Sequence, residues 1–169
     1  MVKWVLFVED SYGVYFHSEL MSKLRALNII NVNPKIKRLP TGKCNNALRK
    51  KVLAVTVSED QFKIVFVIDE EGKGVDNAVN DVLTHMRGVE DRVKVVVVRP
   101  MHETWLCIGL GYDKVKCRKS PIDELRRNRR DYKKEYLAEW ARYVDVKYLV
   151  NEDDFKDYLN ALNWLSVDP

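Results

Sequence analysis

Acidic residues gather where the hydrophobic pattern of this chain changes. Glu9 and Asp10 directly follow one apolar run, Asp69, Glu70 and Glu71 follow another, and His102 and Glu103 come shortly after a third, beyond Arg99 and Pro100. Carboxylates brought together repel one another, and a shared cation relieves that repulsion. Hard oxygen donors of this kind select magnesium or manganese rather than zinc. An ion held this way polarises a phosphoryl oxygen and steadies a leaving oxygen, the requirements of phosphoryl chemistry. Taken singly, each acid is equally well a solvated strand end or the N-cap of the next helix. The agreement of two, or three, strand ends is what points to a metal site.

The elements that must position these acids follow from the periodicity. Lys3 to Val8, Lys63 to Ile68 and Val93 to Val98 are nearly continuous apolar runs, as expected of parallel strands covered on both faces. Asn31 to Leu39 alternates and contains Pro34, which suits an edge strand. Val14, Phe16, Leu20, Met21, Leu24 and Leu27 recur at helical spacing, with Ser11 as the expected N-cap. Leu48, Val52, Leu53 and Val55 predict a second helix after the Thr41-Gly42-Lys43 turn, and a third is expected from Val75 to about His85, stopping near Gly88. Strands alternating with helices predict a three-layer α/β fold with a mostly parallel central sheet flanked by helices. In such sheets ligands bind at the carboxyl ends of the strands, where the acids lie.

Beyond Pro100 the character shifts. A short segment, His102 to Ile108, precedes an expected loop from Gly109 to Lys119. A long helix is predicted from Ser120-Pro121-Ile122-Asp123, with Ile122, Leu125, Tyr132, Tyr136, Trp140 and Tyr143 as its buried stripe. A last strand, Val146 to Val150, and a last helix capped by Asn151 follow. The chain thus reads as one domain over 1–169, a core to about 108 and a C-terminal helical extension over about 109–169.

From Lys114 to Lys134 there are ten basic residues against three acidic ones, a local excess of seven that exceeds the +4 of all 169 residues. Concentrated arginine suits phosphate backbones, so Arg126, Arg127, Arg129 and Arg130 are candidate nucleic-acid contacts; the alternative is a solvated helix face. The other candidate phosphate-binding residues are Lys43, Lys73 and Arg99. Glycine (7) and proline (5) are too scarce for a linker-rich chain, and 46% hydrophobic content argues against disorder. No apolar run approaches the ~18 residues of a membrane span, and the first strand runs into acids without a cleavage site, so a cytoplasmic protein is expected. Cys44, Cys107 and Cys117 are read as simple packing or surface thiols.

The Val8-Glu9-Asp10 strand end and the later Asp69-Glu70-Glu71-Gly72 strand end resemble the Toprim domain of topoisomerases, DnaG-type primases and overcoming-lysogenization-defect nucleases. Arg99-Pro100-Met101-His102-Glu103-Thr104-Trp105-Leu106 adds to the resemblance, which covers about residues 3–106. In that family a glutamate follows the first strand, usually before glycine, and an Asp-x-Asp pair follows a later one. Here Asp10 stands at the glycine position and Glu71 at the second aspartate.

The resemblance implies Glu9, Asp69 and Glu71 as catalytic and metal-binding residues, Mg2+ or Mn2+ as cofactor, and nucleic acid as partner. Asp10 and Glu103 are further candidate ligands. Topoisomerase and primase activities require modules for which this chain has no room, leaving nuclease-like phosphodiester hydrolysis. The alternative is a catalytically degenerate Toprim-fold module that binds nucleic acid or a protein partner through its basic helix. A phosphoacceptor receiver domain is the third possibility, weakened by Asn151 where a lysine is expected after the last strand.

Overall fold

A computed structural model describes residues 3–39, 46–56 and 61–167. Its sheet has strands β1 (Lys3–Val8), β2 (Lys35–Arg38), β3 (Phe62–Asp69) and β4 (Val93–Val98), ordered β2-β1-β3-β4 with every pairing parallel. The expected strands in this part of the chain are all present, and β2 lies at an edge as its alternation predicts. It is shorter than Asn31 to Leu39 and starts only after Pro34, whose missing N–H cannot join a ladder.

Alternate residues of the inner strands feed two separate cores. Leu6, Val8, Val65, Val67, Val96 and Val98 pack on one face with residues of α1 (Ser11–Ala26) and α8 (Asp153–Leu165). Val5, Phe7, Ile64, Phe66, Ile68 and Val97 pack on the other with α2 (Asn46–Thr56) and α3 (Val75–Leu83). Burial on both faces is why these strands read as unbroken apolar runs. The result is a three-layer α/β fold with a C-terminal helical extension.

The strand order reverses between β1 and β3: the chain leaves β1 toward β2, then returns to place β3 on the opposite side of β1. Crossovers diverge at this point and open a crevice at the carboxyl ends. Val8 pairs with Val67, so Glu9 and Asp69 emerge side by side at that crevice.

Several expectations are corrected. The N-cap of α1 is Asp10, whose Oδ1 accepts from the Gly13 N–H at 2.8 Å, rather than Ser11. His102 to Ile108 forms α4 (His102–Gly109), and the expected loop contains α5 (Lys114–Lys119). The long basic helix stops early: α6 (Pro121–Asn128) is followed by an irregular turn, α7 (Tyr136–Trp140) and a 3-10 turn at Ala141–Tyr143. Continuing it would stack Arg126 on Arg129 and Arg130 at like-charge helical spacings. Asn128 Nδ2 instead bonds the Glu124 carbonyl at 2.8 Å, and Arg129 turns to extended backbone. Tyr143, expected in the buried stripe, is exposed.

Val146–Tyr148 is a 3-10 turn, not a strand, with Asp145 accepting from the Lys147 N–H at 3.1 Å. Val146 and Leu149, three apart, are the buried pair, so the inward period was three and not two. The last helix is capped at Glu152 rather than Asn151. Cys107 and Cys117 form a disulfide, Cα–Cα 5.7 Å, tying α4 to α5, so they are not simple packing thiols. No helix among the described residues is long and apolar enough to cross a membrane.

Candidate metal centre

Glu9 and Asp69 reach the crevice from the ends of β1 and β3, and Glu71 reaches it from the turn that follows β3. Each offers a carboxylate oxygen such that all three atoms lie within 4.8 Å of one another, with Glu9 and Asp69 half-buried and Glu71 exposed. Glu71 has φ of 52°, left-handed backbone that disfavours a residue with a side chain, and Gly72 follows at 74°. The neighbouring strand holds this turn in place: Glu70 N–H donates to the Val98 carbonyl at 3.0 Å and Glu71 N–H to the Pro100 carbonyl at 3.2 Å. Non-glycine residues persist in this conformation where the surroundings enforce it, commonly at functional sites.

The cleft beside the acids is small, about 10 Å³, and is lined by Glu9, Asp10, Gly13, Asp69, His102, Glu103, Lys134 and Leu137. That is room for a single ion or water. Oxygen donors, no soft sulfur and space for one small occupant together suit a hard divalent cation.

The remaining predicted site residues fall into distinct places. Asp10 lines the cleft while its Oδ1 caps α1, and its Oδ2 lies 3.0 Å from Lys134 Nζ. Glu103, in the first turn of α4, is 5% exposed, and burial raises its pKa above the usual carboxyl range. Arg99 lines a neighbouring cavity of about 360 Å³ together with Glu70, Arg118 and Glu152. Lys73 bonds Asp81 at 3.3 Å on the surface. Arg126, Arg129 and Arg130 are exposed, Arg129 lying over the Trp140 ring, while Arg127 pairs with Glu124 at 2.9 Å. Lys43 lies outside the described residues.

Two groups at the site, Lys134 and His17, were not legible in the sequence, and neither were the contacts that His102 makes. Lys134, in the turn between α6 and α7, comes to the acids only because the basic helix breaks. Burial would lower its pKa, but the bond and charge of Asp10, then Glu103 and Asp69, raise it. His102, which follows the third apolar run beside Glu103, donates its backbone N–H to Asp69 Oδ1 at 2.9 Å, and its Nδ1 meets the same oxygen at 2.5 Å. Behind it, His17 Nε2 lies 2.8 Å from His102 Nε2, and His17 Nδ1 lies 2.8 Å from the Tyr158 hydroxyl. His17 sits on α1 among apolar residues, so its spacing gave only a core position. Trp105 and Leu106, in the segment that adds to the resemblance, are fully buried in the core.

The chain is a small α/β domain that carries a carboxylate cluster capable of holding a divalent cation. No family model, curated protein or solved structure matches it.

Proposed function

We propose that this protein is a divalent-cation-dependent phosphodiesterase of the Toprim-like type, nuclease-like in action, with nucleic acid as its substrate class. The observation that carries the proposal is the convergence of Glu9, Asp69 and Glu71 within 4.8 Å. Three carboxylates at that spacing are costly without a counter-cation. Mg2+ or Mn2+ held by them would supply Lewis-acid polarisation of a phosphoryl oxygen and charge stabilisation at the leaving oxygen.

The surrounding residues have complementary tasks. Glu103, a buried carboxyl whose pKa burial raises, is suited to carry a proton to or from a reacting oxygen. Lys134 lies beside the acids as a cation for an approaching phosphate, with Asp10 holding it in reserve. The cavity beside Arg99, at about 360 Å³, lies within the size range of small-ligand pockets and borders the same turn as Glu71. Arg126, Arg129 and Arg130 offer backbone phosphates a sequence-independent grip.

One observation favours the binding-module reading. The Lys134 ammonium already sits among these acids, with its pKa raised by Asp10, Glu103 and Asp69, and so neutralises part of their charge without a metal. Incubation of labelled single- and double-stranded DNA and RNA with Mg2+ or Mn2+, and then with chelator, separates the readings. The enzyme reading predicts chelator-sensitive cleavage that Asp69→Asn abolishes. Retained nucleic-acid binding with no cleavage under any condition favours the binding module.

A further inference from the structure

The hydrogen bonds behind Asp69 form one line. Asp69 Oδ1 meets His102 Nδ1 at 2.5 Å, His102 Nε2 meets His17 Nε2 at 2.8 Å, and His17 Nδ1 meets the Tyr158 hydroxyl at 2.8 Å. The line runs from the end of β3 through the N-terminus of α4 and the middle of α1 to α8. It ends inside the core, since His102 is 5% exposed and His17 and Tyr158 are 0% exposed. Trp105 lies against all three rings, with centroids 6.0 Å from His102, 6.1 Å from His17 and 5.2 Å from Tyr158.

The proton order follows from the inner end. Burial holds the Tyr158 phenol protonated, raising its pKa. Burial, and then the charge of His102, hold His17 well below the usual histidine range, so it is neutral. With Tyr158 donating to His17 Nδ1, the one proton of His17 sits on Nε2 and is donated to His102 Nε2. Burial lowers the His102 pKa, but the charge and bond of Asp69 and the charges of Glu9 and Glu103 raise it. In the neutral ring this order puts the His102 proton on Nδ1, and in the protonated ring Nδ1 carries one as well. In either state Nδ1 donates to Asp69. In the neutral rings the opposite order leaves the buried Tyr158 hydroxyl proton without a partner shown among the described residues, which is costly for a buried donor. Because the line is sealed at Tyr158, it exports no proton to solvent.

We infer that His102 is a positioning residue for Asp69, and that His17 and Tyr158 lock its ring. The backbone N–H and the ring N–H of His102 grip one carboxylate oxygen from two directions, which fixes rotation of the Asp69 carboxylate about its Cβ–Cγ bond. A fixed carboxylate presents its oxygens to the other two acids at a set angle, and such outer hydrogen bonds are commonly worth tenfold or more in cation affinity. This inference rests on the proposed cation site.

The test is titration of the full chain with Mn2+ alone, read by water-proton relaxation, alongside 15N NMR of the histidine rings at mildly alkaline pH. The unaltered protein is expected to show His17 with its proton on Nε2 and His102 with its proton on Nδ1. His102→Leu is expected to weaken Mn2+ binding by about tenfold. His102→Asn, which keeps an N–H near the Nδ1 position, is expected to recover most of that loss. Tyr158→Phe should leave the fold intact and redistribute the His17 proton between its nitrogens.

Mn2+ binding by His102→Leu equal to the unaltered protein, while Asp69→Asn binds none, overturns the inference and leaves the cation site standing. No Mn2+ binding by the unaltered protein overturns both. If His102→Leu does not fold, a His102 ring without a proton on Nδ1 in the unaltered chain overturns the inference by itself.

Discussion

Arg118 holds Asp154 with both ends of its guanidinium, Nη1 donating to Oδ2 at 2.7 Å and Nη2 to Oδ1 at 2.8 Å. The same pair clasps the backbone of Arg99, whose N–H donates to Asp154 Oδ2 at 3.0 Å and whose carbonyl accepts from Arg118 Nη1 at 2.6 Å. Arg99 precedes Pro100, whose carbonyl accepts from Glu71 N–H. An ion pair in the extension, its carboxylate buried and its guanidinium partly exposed, therefore braces the turn that carries one of the three clustered acids. Asp154 is 1% exposed, so removing Arg118 strands a buried charge. Arg118→Ala is expected to lower unfolding free energy by about 3–5 kcal/mol in urea titrations. A loss below about 1 kcal/mol, the scale of a surface pair, contradicts the bracing role.

The same pair sets an acid limit. Burial pushes the Asp154 carboxyl up, but the bonds from Arg118 and the Arg99 backbone outweigh it and hold the pKa below the usual carboxylate range. A group depressed in the folded state contributes stability that is fully present above its unfolded value, about 3.9. That contribution is lost as pH falls through the lower folded value. Denaturant midpoints followed from neutral pH downward should drop below about pH 4 more steeply in the unaltered protein than in Asp154→Asn. Identical slopes contradict this assignment.

Glu71 places a charge on strained backbone beside two other acids. Asparagine tolerates the left-handed region better than glutamate and carries no charge. Glu71→Asn is therefore expected to leave the metal-free protein at least as stable in thermal melts, while reducing the stabilisation gained on adding Mn2+. Loss of stability with unchanged Mn2+ response would assign Glu71 to the fold and not to the site.

Gly109 closes α4 against the extension. A Cβ there would lie 2.6 Å from Val144 Cγ1, and the Gly109 carbonyl accepts from Asp145 N–H at 2.8 Å. Gly109→Ala should cost about 1–3 kcal/mol by overpacking, and Val144→Ala in the same chain should recover part of it. An unaltered unfolding midpoint in the single variant counts against this close approach.

The broken basic segment makes a salt-dependent prediction. Replacing Arg126, Arg129 and Arg130 by alanine should weaken nucleic-acid binding uniformly across sequences. The slope of log affinity against log salt should fall by about 1 per arginine that meets phosphate. An unchanged slope means the nucleic acid is held elsewhere or not at all.

Much of the fold was legible because the strands are buried on both faces and so announce themselves as apolar runs, and the position of the acids at two strand ends followed from that. The extension was not legible, for local reasons. The helix that the Ile122, Leu125 and Tyr132 spacing suggested stops at Asn128, whose side chain bonds the Glu124 carbonyl, and like charges at Arg126, Arg129 and Arg130 do not favour its continuation. Val146 and Leu149 imitated a strand while spaced for a 3-10 turn. The Cys107–Cys117 pairing depends on α4 and α5 meeting, which no spacing rule supplies. Likewise His17 and Lys134 reach the site only through tertiary contacts between segments far apart in sequence, and the bond of His102 to Asp69 depends on such a contact.

The most direct test is a crystal soaked in manganese and measured for anomalous scattering. The account predicts one peak bound by carboxylate oxygens of Glu9, Asp69 and Glu71, lost in Asp69→Asn. An empty cleft, with the Lys134 ammonium still against Asp10, would contradict the central claim.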